Sequence, residues 1–152
     1  MDIPETKFAV EYLRSRGIAL DVALDLGVDI FVKDSHPIGL YGDRLGFSSW
    51  GNSMLPDIVE ESLWFRCLDA EGKINSYFCR VFPPPKDKEG KLAKFLTPKD
   101  GSGYPFIVPA VWEVASRPSH PLCLTEGPVK ALAVLQAGGL PIGLAEIGRA
   151  HV

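Results

Sequence analysis

Glu126 and Lys130 are the side chains whose types and spacing best suit chemistry in this sequence. A carboxylate holds a divalent cation or takes a proton. An ammonium four residues on lies one helical turn away, where it meets a phosphate or keeps the carboxylate ionised. The surrounding stretch predicts how they are held. Leu122-Cys123-Leu124-Thr125 is an apolar run that stops at Glu126-Gly127, and Pro128 opens a segment in which only Lys130 and Gln136 are polar before Gly138-Gly139. Pro at the first helical position and Gly just past the last are the expected punctuation, so the pattern is strand, tight turn, helix. Pro141-Ile142-Gly143-Leu144 predicts a second short strand and hence a βαβ crossover with parallel strands. Glu126 is then expected at the carboxyl end of a buried parallel strand, where open α/β sheets bind ligands. Spacing alone leaves two readings of Glu126 open. One is a helix-capping carboxylate, contributing a few tenths to about 1 kcal/mol through the helix dipole; the other is a metal-binding or proton-transfer group.

Arg80 and Lys94 form the second candidate set. LWFRCL and KINSYFCRVF, between Leu63 and Phe82, are apolar or alternating runs around Asp69-Ala70-Glu71-Gly72, which predicts a hairpin. Lys94-Phe95-Leu96-Thr97-Pro98 follows a Pro-rich excursion at 83–85. On spacing alone, an Arg and a Lys on neighbouring strands form a solvated outer face. The charge distribution bears on this: residues 1–65 hold 5 Lys/Arg against 11 Asp/Glu, whereas residues 66–99 hold 8 against 4. A basic middle in an acidic chain suits a local phosphate-tracking surface, although Lys86, Lys88 and Lys91 in PPPKDKEGK read as a solvated loop.

The remaining elements frame these groups. Residues 5–16 predict a helix with Phe8, Tyr12 and either Ala9 or Leu13 on one face, ended by Gly17. Ala19 to Leu26 repeats the pattern with Val22, Ala23 and Leu26 apolar, and Gly27 stops it. Residues 30–61 read as loops with one short helix or strand at most, and Trp50 as a lid on a small core. Tyr104 to Val108 predicts a short strand. Pro109 to Ala115 predicts a helical turn with Val111, Trp112 and Val114 facing inward, and 117–121 a linker. His120, in that linker, is assigned no role.

Length and composition bound the class. The 152 residues suffice for one ordinary domain or two small ones, and 46% hydrophobic with 23% charged content is that of a soluble globular protein. No apolar run approaches a membrane span and MDIPETKF lacks a signal core, so a cytoplasmic protein with no membrane partner is expected. Cys67, Cys79 and Cys123 form no CxxC pair and fit reduced structural thiols. The net charge of −3 argues against an indiscriminate nucleic-acid binder.

Several segments resemble one family. Strand-Glu126-Gly-helix, followed by a Gly-bearing strand, is similar to the start of a Toprim domain, the metal-dependent fold of DnaG-type primases and topoisomerases. Lys130 matches the Glu-x-x-x-Lys spacing of the topoisomerase and phage-primase variants, where DnaG-type primases usually carry Asp. DAEGKINSYFCR, without a gap over residues 69–80, resembles the D-x-x-G-x-x-x-G-[FY]-x-x-R hairpin of DnaG-type primases, with Asp69, Gly72, Tyr77 and Arg80 on matching positions. Ser76 stands where that family has Gly, and Phe78 and Cys79 replace the two Gly residues before its Arg. Lys94-Phe95-Leu96-Thr97-Pro98 is similar to the family's PKYLNSP segment, and YLRSRGI to its YLxxRGL opening.

The resemblance implies an α+β N-terminal subdomain of paired helices and an antiparallel hairpin over 1–118. The first βαβ unit of an α/β Toprim domain would follow over 119–145. It implies a DNA replication protein of phage, plasmid or mobile-element type, a primase making RNA primers on single-stranded DNA by nucleotidyl transfer. Nucleotides and a replicative helicase, fused downstream or separate, are the implied partners, and Mg2+ or Mn2+ the cofactor. Glu126 would be metal ligand or general base, and Lys130 would meet phosphate. Arg80 and Lys94 would line the basic surface that guides template. The family's Asp-x-Asp pair is absent, since no Asp follows Asp100, so an inactive fragment is expected. The alternatives are a noncatalytic single-stranded-DNA-binding or helicase-associated module, and another Toprim enzyme such as a nuclease. The closing IGRAHV matches a reading frame of a common library adapter, ATC GGA AGA GCA CAC GTC. Residues 146–152 are accordingly read as a sequencing scar, with the native chain continuing past Ala145.

Overall fold

The computed structural model describes residues 3–33, 58–86, 89–92, 95–96, 104–114, 117 and 119–144. Trp50, Lys88, Lys94 and the closing 145–152 lie outside the described residues. Two short helices, α1 (Ala9–Ser15) and α2 (Leu20–Asp25), lead into strand β1 (Val28–Val32). β2 (Glu61–Leu68) and β3 (Ile74–Phe82) follow, then β4 (Phe95–Leu96), α3 (Pro109–Val114), β5 (Cys123–Glu126), α4 (Gly127–Gln136) and β6 (Pro141–Leu144). No helix among the described residues is long and apolar enough to cross a membrane.

The first four strands form an antiparallel sheet in sequence order. Its centre is the expected β2–β3 hairpin. Asp69 closes the turn, accepting from the Glu71 and Lys73 N–H groups through Oδ1 at 2.9 and 2.8 Å, while Gly72 takes a positive φ of 82° that other residues resist. β1 lies in a region read as irregular. Its alternation is brief, and what makes it a strand is pairing with β2 and the Asp29–Arg66 bidentate pair at 2.8 and 2.9 Å.

The sheet is buried on both faces. Leu63, Phe65, Phe78 and Phe82 join the main core with Ala9, Leu13 and Ala23 of the two helices. Trp64, Tyr77, Cys79, Val81 and Leu96 form a smaller core on the opposite face. The two Gly positions replaced by Phe78 and Cys79 have thus become packing positions, one in each core. The helical hairpin docks as expected, but with Ala9 and Leu13 inward and Phe8 largely exposed.

Glu61 fixes the start of α1. Its carboxylate, on a residue only 3% exposed, accepts the backbone N–H groups of Lys7, Phe8 and Ala9 at 2.8–3.1 Å. These are donors that a helix N-terminus leaves without intrahelical partners; Phe8 itself has no capping side chain, and the next donor, Val10 N–H, goes to Thr6 Oγ1 at 3.3 Å. A strand carboxylate and the local Thr6 hydroxyl therefore share the capping of α1.

The predicted βαβ unit is present: β5 and β6 are parallel, with α4 between them. Two details differ. Among the described residues β5 is paired with β6 alone, so Cys123, Leu124 and Glu126 are exposed, Leu124 by 62%, and the expected buried strand is there an edge strand. The predicted strand at 104–108 reduces to one bridge, Phe106 with Gly143, which ties the linker segment to β6. In α3 only Val111 is buried; Trp112 instead reaches outward and donates its indole N–H to the Leu68 carbonyl at 3.1 Å.

Candidate functional site

Strand alternation places Phe78, Arg80 and Phe82 on one side of β3, the side that carries the main core. Arg80 is opposite Leu63 on β2 and Phe95 on β4, so its guanidinium leaves along the core's border rather than from an outer face. It lies 4.6 Å from the Tyr12 ring centroid, 5.2 Å from that of Phe95 and 5.8 Å from that of Phe82. Aromatic faces attract a cation electrostatically, each by about 0.5–1 kcal/mol when exposed and about 2 when desolvated. That attraction offsets the loss of water around Arg80, whose Nε is buried without a hydrogen-bond partner. Burial lowers its pKa, the Tyr12 hydroxyl raises it, and the charge of Arg16 lowers it further. An arginine starts high enough to remain cationic at neutral pH.

Arg16 is the residue that sequence reasoning missed. It closes α1 one turn after Tyr12, and its guanidinium sits 5.3 Å from the same Tyr12 ring. The Tyr12–Arg16 spacing of four on one helix face was the available signal. Among the described residues neither Arg16 nor Arg80 has an ion-pair partner, whereas Arg14 and Arg66 are both paired. Two guanidiniums gathered on one tyrosine without a counter-charge repel each other, and an anion between or beside them relieves that cost. Guanidinium forks bind phosphate oxygens in bidentate fashion.

Glu126 ends β5 in an extended conformation, and Gly127, at φ 78°, turns the chain into α4. Glu126 occupies the N-cap position yet its side chain makes no capping hydrogen bond. Any contribution of Glu126 to α4 is therefore through the helix dipole and not through a capping hydrogen bond, and its carboxylate is exposed at the carboxyl end of a parallel strand. Lys130 is exposed one turn on, and no ion pair joins it to Glu126. The described residues contain no group of three or more His, Cys, Asp or Glu able to hold a metal ion. They do not by themselves fit a two-metal centre.

The two candidate sets are separate. The Gln136 side chain, at the far end of α4, bonds Gly17 O and Ala19 N–H at 2.6 and 2.8 Å, in the turn just after Arg16. Glu126 thus stands at one end of α4 and the arginine pair near the other. At 1.5 Å per residue the ten residues of α4 span about 15 Å.

A helical pair leading into an antiparallel sheet, followed by a parallel βαβ unit, defines an α+β fold with guanidiniums on the first half and a lone carboxylate on the second. That fold is primase-like. The chain is similar to the crystal structure of the Aquifex aeolicus primase, comprising its zinc-binding and RNA polymerase domains, with a TM-score of 0.65 and 16% sequence identity. The match covers 91% of this chain and 37% of that one, so the chain spans little more than a third of the primase structure's length. No protein-family model and no curated protein matches.

Proposed function

We propose that this chain is the N-terminal part of a primase-type catalytic core of a DNA replication protein, and that it holds single-stranded DNA template across the Arg16–Arg80 face. The observation that carries the reading is the pair of guanidiniums on Tyr12 without a counter-charge among the described residues, on a fold shared with the Aquifex primase. Template phosphates supply the missing negative charge, and affinity falls with salt as condensed counterions are released. Lys94, immediately before β4 in sequence, is a further candidate contact for template phosphate.

Residues 119–145 begin a Toprim domain in this reading. Glu126 contributes one carboxylate to a Mg2+ or Mn2+ site whose other ligands come from sequence beyond this chain, and Lys130 faces nucleotide phosphate. A bound divalent ion would supply charge neutralisation for nucleotidyl transfer. A replicative helicase is the expected partner. A second reading is a noncatalytic DNA-binding module, which needs only the Arg16–Arg80 face and no metal at Glu126.

The test reads the source gene past Ala145, expresses the longer product and follows ribonucleotide incorporation on single-stranded DNA with magnesium. The primase reading expects synthesis that Glu126→Gln abolishes while DNA binding persists, and that Arg80→Ala weakens through DNA affinity. DNA binding without synthesis, lost in Arg80→Ala but indifferent to Glu126, establishes the binding module instead. A genuine stop codon after Val152 removes the longer protein altogether.

A further inference from the structure

Phe8 packs against Phe82, one of the rings under the Arg80 guanidinium, and has no part in the reading above. Its ring is 43% exposed and lies nearly parallel to that of Phe82, at 10° with centroids 6.5 Å apart. Tyr12 tilts onto the same Phe82 ring at 5.3 Å. A single exposed apolar residue is ordinary; this one continues an aromatic row that carries two cations without an ion-pair partner among the described residues. Its backbone is also held fast. The Phe8 N–H donates to both oxygens of the buried Glu61 carboxylate at 2.8 and 2.9 Å, and those of Lys7 and Ala9 donate to it as well. With the main chain fixed, an aromatic side chain has only two torsions left to order, so contact through it costs little entropy.

We infer that Phe8 is a stacking subsite for an unpaired nucleobase, whose flanking phosphates engage Arg16 and Arg80. The inference rests on the proposed template face and adds to it a residue and a ligand feature, the open face of a base. A positive groove with an aromatic platform is the arrangement that binds single strands without sequence preference. A duplex offers no free base face, so the subsite selects single strands.

The experiment uses the complete chain with two labelled oligonucleotides of equal length, oligothymidylate and its abasic counterpart, titrated by fluorescence anisotropy across a salt series. The wild-type chain is expected to bind oligothymidylate more tightly. Phe8→Ala and Phe8→Leu lose about tenfold on oligothymidylate and nothing on the abasic strand, with an unchanged salt slope, and Phe8→Trp restores binding. Phe8→Leu keeps apolar bulk against Phe82 and so guards against an unfolded variant. Arg80→Ala instead flattens the salt slope on both strands. Phe8 variants that match wild type on oligothymidylate, or lose equally on both strands, overturn the stacking subsite while leaving the template face intact. A wild-type chain that binds neither oligonucleotide at low salt removes the template face and the subsite together.

Discussion

Arg80 shows what it takes to keep a guanidinium on the core side of a sheet. Three aromatic faces surround the charge, and its tip reaches the border where Arg16 and solvent meet it. The β3 alternation Phe78-Arg80-Phe82 was legible in the sequence and already assigns Arg80 to the apolar side. The outer-face expectation failed because it weighed the charge and not the parity. The buried thiols make the complementary case, groups kept neutral by the same exclusion of water. Burial pushes the Cys67 pKa up to about 12 from 9.0, and that of Cys79 well above 9.0. The unfolded chain releases these protons near the ordinary value while the folded chain retains them. Their contribution is therefore fully present below 9.0 and is lost as pH rises towards the folded value, by about 1.4 kcal/mol per pH unit for each thiol. Urea unfolding between about pH 8 and pH 10.5 is expected to show this fall, shallower in Cys67→Ala even though that variant starts less stable. Parallel profiles for the two proteins would mean that the folded Cys67 thiol ionises as freely as the unfolded one.

At the scale of elements, the β5–α4–β6 unit was the most legible part of the chain and the most exacting to build. Pro128, the apolar helix and Gly138-Gly139 announce it through local chemistry alone. Gly143 carries a demand that no local rule reveals. A Cβ there would stand 2.8 Å from the Gly127 carbonyl oxygen and 3.3 Å from Ala131 Cβ, so β6 passes directly against the turn that carries Glu126. The obstruction is backbone and cannot swing aside. Gly143→Ala is expected to cost about 1–3 kcal/mol, read by chemical denaturation, and to displace the Glu126 turn. Amide chemical shifts of Glu126 and Gly127 should move while those around Arg80 stay put. A variant as stable as wild type with unmoved Glu126 signals would show that the strand has room to retreat. The strand that the sequence hid, β1, and the single bridge to which the expected strand at 104–108 reduces are defined by partners distant in the chain. β1 needs the edge of β2, and Phe106 needs Gly143. Trp112 was turned outward for a similar reason, because its indole N–H finds an acceptor at Leu68 rather than in the core.

For the whole molecule, the question is how the arginine face and the carboxylate, about a helix length apart, hold a fixed relation. The main core joins the sheet, the lead-in helices and α4, but apolar contact alone permits sliding. Gln136 supplies a directional tie. It accepts from Ala19 N–H and donates to Gly17 O, pinning the end of α4 to the turn after α1. Glu61 pins the other end of α1 to β2. The arginine face and α4 are thereby referred to one frame, with Glu126 at its far side. Removing the tie should separate stability and binding from any activity that needs both sites. Gln136→Ala loses two hydrogen bonds and is expected to cost about 1–2 kcal/mol in urea unfolding, with single-stranded DNA affinity unchanged because Tyr12, Arg16 and Arg80 keep their own contacts. On the proposed primase reading, primer synthesis by the longer product should fall by more than that loss of stability explains at a temperature where the variant is fully folded. Gln136→Glu keeps an acceptor for Ala19 N–H but sets a carboxylate against the Gly17 carbonyl, so it should be no better than Ala. Wild-type synthesis in both variants would mean that the packed core alone registers α4 against the template face.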